Sequence, residues 1–199
     1  MDEKLRQLSI NARILGLMYD KALPPSIRDV FKQADEAARP LSDHELRVIC
    51  RFSAVDADNL QRLQSKTPQF VTSAKNRLLE KDPSLNLPGG ALYPEARAEA
   101  CWRDCWHFLR VTIYAVAAGR PAFTQPGGVQ GLSDLYRELA VPISSMALAI
   151  GFLKTEAVSD YSTYASPSDA SILGEALLHL EQMIQQLPQR SSSDTEVPL

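Results

Sequence analysis

Apolar residues recur at three- and four-residue spacing along almost the whole chain, with Gly and Pro as breaks between the runs. In DEKLRQLSINARILGLMYDKA, Leu5, Leu8, Ala12, Leu15 and Tyr19 fall on one face, which predicts a helix that ends before Pro24-Pro25. SIRDVFKQADEAAR predicts a second, short helix, with Ile27, Val30, Phe31 and Ala34 aligned and Pro40 as its stop. Ser42-Asp43-His44-Glu45 is a capping box: the Ser hydroxyl accepts from the Glu45 amide and the carboxylate reaches back. One long helix is expected behind it, with Leu46, Ile49, Val55, Leu60 and Leu63 as its apolar positions. Thr67-Pro68 opens the next helix, which runs to about Lys81, and DPSLNLPGGALYP reads as a loop.

Pro94 opens the most hydrophobic helix, and Gly119 suits its C-terminal cap. RPAFTQPGG is expected as a loop, Ser133 as the cap of a short helix to Leu139, and Pro142 as the start of ISSMALAIGFLKTEA. SDYSTYASPSD connects to a last helix from about Ser168 to Leu187, where Ile172, Leu173, Ala176, Leu177, Leu180, Met183 and Ile184 stack. No segment alternates as a strand does. The pattern therefore predicts an all-α chain with about eight helices behind an N-terminal extension. Three regions follow: a helical extension over 1–22, a core over 23–187, and a polar, disordered tail over 188–199.

Charge and composition narrow the partners. The net charge is -3, the hydrophobic share of 45% is enough for one globular core, and there is no basic block, which argues against nucleic acid. The start, Met-Asp-Glu-Lys, lacks the apolar region of a secretory signal, and no apolar run is long enough to span a membrane. The expectation is a protein of the cytosol, or one bound to the surface of another protein.

The chemistry concentrates in ACWRDCWHFLR, residues 100–110. It holds both tryptophans of the chain, Trp102 and Trp106, and two of its three cysteines. On a helix, Cys101, Asp104 and Cys105 share a face, Arg97 lies one turn ahead on it, and Arg103 sits to the side. The cysteine spacing is not that of a zinc site. Taken alone, the charges read as a solvated cluster beside buried aromatics.

The same segment resembles the chromophore helix of phycobiliproteins, Ala-Cys-x-Arg-Asp-x-x-x-x-Leu-Arg, at every fixed position. Four further blocks agree in order. LPGGALYPEARAEACWRD resembles the Pro-Gly-Gly-x-x-Tyr stretch of allophycocyanins, and LRVTIYAVAAG their Leu-Arg-x-x-x-Tyr-x-x-x-Ala-Gly. GLSDLYRELAVPISSM resembles their Gly-x-x-x-x-Tyr-x-x-Leu-x-x-Pro-Ile, and ADEAARPLSDHEL the join between their N-terminal hairpin and the globin-like core. The likeness is greatest to allophycocyanin α-type chains and spans about residues 24–187.

That resemblance implies a globin-like fold with an N-terminal helical hairpin. It also implies a light-harvesting protein that is not an enzyme and that carries a linear tetrapyrrole, a bilin of phycocyanobilin type. Cys101 has the place of the thioether thiol, and Asp104 that of the carboxylate that takes the pyrrole N–H bonds. Arg103 and Arg97 are placed to meet the propionates, and Trp102 and Tyr136 to wall the pigment. It implies partners among phycobiliprotein subunits, with linker or photosystem proteins besides, and a peripheral place on the cytoplasmic side of the thylakoid membrane. Asp35 has the place of an inter-subunit carboxylate and Arg110 that of its arginine counterpart. Ile27, Val30 and Phe31 are then expected to form an exposed apolar contact patch.

The chain also departs from the pattern. His107-Phe108 stands where Tyr-Tyr is usual, Ala91 follows Pro-Gly-Gly where Asn is usual, and Cys105 is extra, read as a packed small residue. Two other functions stay open on the sequence. One is a chromophore-free adaptor, assembly or regulatory factor of antenna complexes; the other is a haem globin with His107 as ligand.

Overall fold

The computed structural model describes residues 3–188, and every named element among them is helical. In chain order these are α1 (Glu3–Asn11), α2 (Pro25–Glu36), α3 (Asp43–Ser53), α4 (Ala57–Ser65) and α5 (Thr67–Lys81). After them come α6 (Glu95–Ala118), α7 (Pro126–Leu139), α8 (Ile143–Tyr161) and α9 (Pro167–Gln185). The all-α expectation and its eight helices after the extension hold among the described residues. Of the expected tail only Pro188 is described; 189–199 lie outside.

Helix α6 is the axis of the core. Its second half, Phe108 to Ala118, is buried without interruption, and it packs against α3, α4, α5, α8 and α9. A helix buried on all sides shows little amphipathic periodicity, which is why this one read as the most hydrophobic segment. Gly119 ends it in the left-handed region at φ 64°, as its composition promised. The Ser42–Glu45 capping box is formed, and Glu45 also takes both terminal nitrogens of Arg39 at 2.7 and 2.8 Å.

Three sequence expectations need correction. The predicted helix through 1–22 stops at Asn11; after a turn at Ala12 the chain leaves the helix, Leu15 bridges to Thr124, and a short 3-10 turn follows at Leu17–Tyr19. Pairing to a distant segment and burial of Ile14, Leu15 and Leu17 outweigh local helical period. The long helix behind Ser42 is two helices, broken where Ala54 turns left-handed at φ 62° and Asp56 caps the next start by accepting from the Asn59 amide. Helix α7 begins at Pro126 and not at Ser133, because Pro fits the first turn and the two glycines after it are tolerated.

The expected exposed patch on α2 is not there either. Ile27 is 4% exposed, Phe31 0%, and Val30 is half-buried against the same core. Asp35 is 5% exposed and Arg110 6%, and the two meet within this chain at 2.8 Å. Helix α2 folds back onto its own core, with Phe31 stacked on Tyr114, so Ile27, Phe31, Asp35 and Arg110 are interior and Val30 is partly covered.

Candidate functional site

The N-terminal half of α6 forms one side of a cavity of about 770 Å³, within the usual size range of a small-molecule site. Arg97, Cys101, Asp104, His107 and Phe108 line it, at the spacing that puts side chains on one helical face. Leu132, Leu135 and Leu139 of α7 add apolar lining, and Asp35 and Arg110 line it as well.

Asp104 is the chemical centre of this face. It is half-buried, and Tyr136 donates its phenolic O–H to Oδ2 at 3.1 Å. Burial raises its pKa to about 6, partly offset by the Tyr136 hydrogen bond and the Arg103 charge. It makes no ion pair with any described residue. A carboxylate held so, facing a cavity, lacks a cationic N–H donor. Arg97 and Arg103 complement it: both line the cavity, Arg103 is exposed and Arg97 half-buried, and neither makes an ion pair among the described residues. Guanidiniums without carboxylates at a cavity wall suit an anionic group of a ligand.

Cys101 is buried at the cavity wall, and its thiol is pushed up to about 12, mainly by burial and secondarily by Asp104. Cys105, one turn on, does not line the cavity. It is fully buried, with its thiol 3.8 Å from the Met146 sulfur, which agrees with the reading of a packed small residue. His107 does line it, and burial with the Arg110 and Arg103 charges lowers its pKa to about 4, so the imidazole is neutral.

Two expected wall residues take other places. Trp102 does not line this cavity; with Leu78, Leu92 and Met146 it borders a separate small void that Cys101 also touches, and its indole N–H is buried without an acceptor. Tyr136 lies beneath the wall and acts on the site through Asp104. Ser9, Ala12, Arg13 and Ile14 also line the cavity, with no local motif to announce it.

This donor set fits a linear tetrapyrrole: a thiol for covalent attachment, a carboxylate short of a cation, and free guanidiniums for carboxylates, around a cavity of suitable size. A model of the phycobilisome protein family matches residues 29–187. The chain belongs to the phycobilisome protein family. Among its relatives is a putative allophycocyanin subunit alpha 2 of Nostoc sp., 34% identical over 129 residues, covering 63% of this chain and 80% of the relative. Another is the C-phycocyanin beta chain of Aglaothamnion neglectum, 32% identical over 133 residues, covering 65% and 77%. The allophycocyanin subunit alpha-B of Synechocystis sp. is 30% identical over 135 residues, covering 66% and 84%. All of the cavity residues on α6 and α7 fall inside the family match, whereas residues 1–28 lie ahead of it.

Proposed function

We propose that this chain carries a linear tetrapyrrole of phycocyanobilin type, joined by a thioether to Cys101. As a phycobiliprotein it absorbs light and passes the excitation on; it turns over no bond and is not an enzyme. The single observation that carries the attachment reading is Cys101 and Asp104 facing one cavity one helical turn apart, with Asp104 in no ion pair among the described residues.

Bound there, the pigment supplies the absorbing π-system. The chain's own residues do the rest. Asp104 offers a carboxylate to cationic N–H groups, Arg97 and Arg103 offer donors to carboxylates, and Tyr136 keeps Asp104 ionised and oriented. Leu132, Leu135 and Leu139 of α7 give the pigment an apolar surface to lie against. As one of the antenna phycobiliproteins it assembles with other subunits. Linker or photosystem proteins complete the set of partners, and the place of work is the cytoplasmic face of the thylakoid membrane. No helix among the described residues is long and apolar enough to cross a membrane.

The test is pigment on the denatured native chain, read as zinc-enhanced fluorescence on a gel. Cys101→Ala should abolish it and Cys105→Ala should not. Pigment that survives the Cys101 change, or a native chain with none, overturns the reading. The second outcome favours a chromophore-free adaptor.

A further inference from the structure

The segment that the family match leaves out is built into the site. Gln125 donates its backbone N–H to the Ile14 carbonyl at 2.8 Å and its side-chain Nε2 to the Arg13 carbonyl at 3.0 Å, and Gly16 donates to the Phe123 carbonyl at 2.7 Å. Helix α7 is notched to receive this strap. A Cβ on Gly131 would stand 2.2 Å from the Asn11 carbonyl oxygen, and one on Gly128 would stand 1.9 Å from that of Arg13. Any side chain at either position collides with backbone, so only glycine admits the strap. Behind the notch, Ile14, Leu15 and Leu17 are buried. Helix α1 is different: it buries no residue fully, and an exposed Lys4–Glu138 ion pair at 2.7 Å ties it to the end of α7.

The placement has a chemical result. The strap and the end of α1 bring Ser9, Ala12, Arg13 and Ile14 to the same cavity that Cys101 and Asp104 face. Arg13 adds a third guanidinium to Arg97 and Arg103; its Nη2 donates to the Glu36 carbonyl at 3.4 Å, and it makes no ion pair among the described residues. We propose that residues 9–14 are part of the tetrapyrrole site of this chain, a wall that covers the pigment from the side of α7, with Arg13 a further cation for a pigment carboxylate. This rests on the reading of the cavity as a tetrapyrrole site. The lock lies at residues 11–16, where backbone hydrogen bonds and the glycine notch hold the chain, whereas α1 rests on α7 with no residue fully buried.

The test uses the full-length chain purified without pigment. Biliverdin, a free linear tetrapyrrole with two propionates, is titrated by its absorption, and alkylation of Cys101 by iodoacetamide is followed by site-resolved mass spectrometry. Gly131→Val displaces the strap, so biliverdin affinity should fall about tenfold and Cys101 alkylation should speed up about tenfold, with Cys50 unchanged. Arg13→Ala touches only an exposed side chain. It should weaken biliverdin about threefold, more at low salt, and leave alkylation alone. Parental affinity and alkylation in both variants would overturn the proposal. If Gly131→Val does not fold, parental affinity in Arg13→Ala overturns it alone. If the parent itself fails to bind biliverdin, the tetrapyrrole reading falls, and alkylation of Gly131→Val still decides whether the strap closes the cavity.

Discussion

Tyr136 donates its phenolic O–H to Asp104 Oδ2 at 3.1 Å, from a position almost wholly inside the protein. The bond does two things. It fixes the carboxylate against the cavity, and it favours the ionised form against a burial that would otherwise neutralise it. Tyr136 in turn is held protonated, its pKa raised by burial and by the Asp104 charge. The phenol is therefore a fixed donor, and the titrating member of the pair is Asp104.

A first prediction follows from that pair. In the pigment-free chain, NMR titration should find the Asp104 carboxyl near 6, and Tyr136→Phe should move it higher, because the lost donor had favoured the anion. A value unmoved by Tyr136→Phe would show that the bond is not formed in solution. With pigment attached, Asp104→Asn should keep the pigment but weaken and shift its visible band.

The same shift has a consequence for stability. The folded-state pKa of Asp104 lies above that of an unfolded carboxyl, so this group favours the fold at low pH, and that contribution is lost as the pH rises through about 6. Asp104→Asn should therefore stabilise the pigment-free chain relative to the parent by up to about 3 kcal/mol at pH 8 and by almost nothing at pH 4. Urea midpoints at the two pH values measure the difference. An equal effect at both would mean that the charge is not the cause.

Much of this arrangement was legible in the sequence, and the parts that were not share a physical reason. Helix α6 could be bounded because Pro94 and Gly119 are local signals, and its chemistry could be placed because Arg97, Cys101 and Asp104 repeat at one-turn spacing. The break at Ala54 was hidden, since Val55 and Leu60 continue the apolar pattern and only Asp56 marks the restart. The strap was hidden more deeply. Its partners lie far along the chain, 112 residues apart for Gln125 and Arg13, and residues 12–19 keep a helical period that the long-range pairing overrides. The one trace it leaves is Gly127-Gly128-x-x-Gly131 inside a helix, where glycine weakens the helix unless a backbone must come close. The exposed patch on α2 was misjudged because periodicity shows that a face is apolar but not what covers it.

Asp35 and Arg110 carry the next prediction. They form a buried ion pair, and Arg110 also donates to the Tyr114 hydroxyl at 2.7 Å, whose own O–H turns to the Arg39 carbonyl. Removing one charge strands the other. Asp35→Ala should cost about 3–5 kcal/mol, whereas Asp35→Leu combined with Arg110→Met should recover most of that loss. The drop in thermal midpoint should not depend on protein concentration. A midpoint that varies with concentration would place the pair between chains instead.

Glu45 combines a helix cap with an ion pair, and both depend on its charge. It accepts from the Ser42 amide at 2.7 Å and from Arg39, and these contacts hold its carboxyl down at about 2, the Arg39 hydrogen bonds foremost. Here the folded-state value is depressed, so the contribution is complete above the unfolded carboxyl range and is lost as the pH falls toward 2. Glu45→Ala should cost about 1–2 kcal/mol at pH 7, and the gap between variant and parent should narrow in acid. Guanidinium unfolding at pH 7 and pH 3 checks both statements, and a constant gap would remove the ionic part of the account.

The last prediction concerns how Cys101 reacts. Thioether formation needs the thiolate, yet burial holds this thiol at about 12, against about 8.5 for a free cysteine. At pH 8 only about one Cys101 in ten thousand is ionised, so iodoacetamide should alkylate it about a thousandfold more slowly than the same cysteine in the urea-unfolded chain. The rate should keep rising tenfold per pH unit through pH 10, where an ordinary thiol has levelled off. Asp104→Asn should accelerate it, since Asp104 is the nearest anion that opposes a second negative charge. On these numbers pigment added to the closed chain at neutral pH joins very slowly, and rapid attachment needs either an opened cavity or a separate protein that supplies a base to Cys101. Rapid unaided labelling of Cys101 at pH 7, with a plateau by pH 9, would show instead that the thiol is ordinary and the wall around it open.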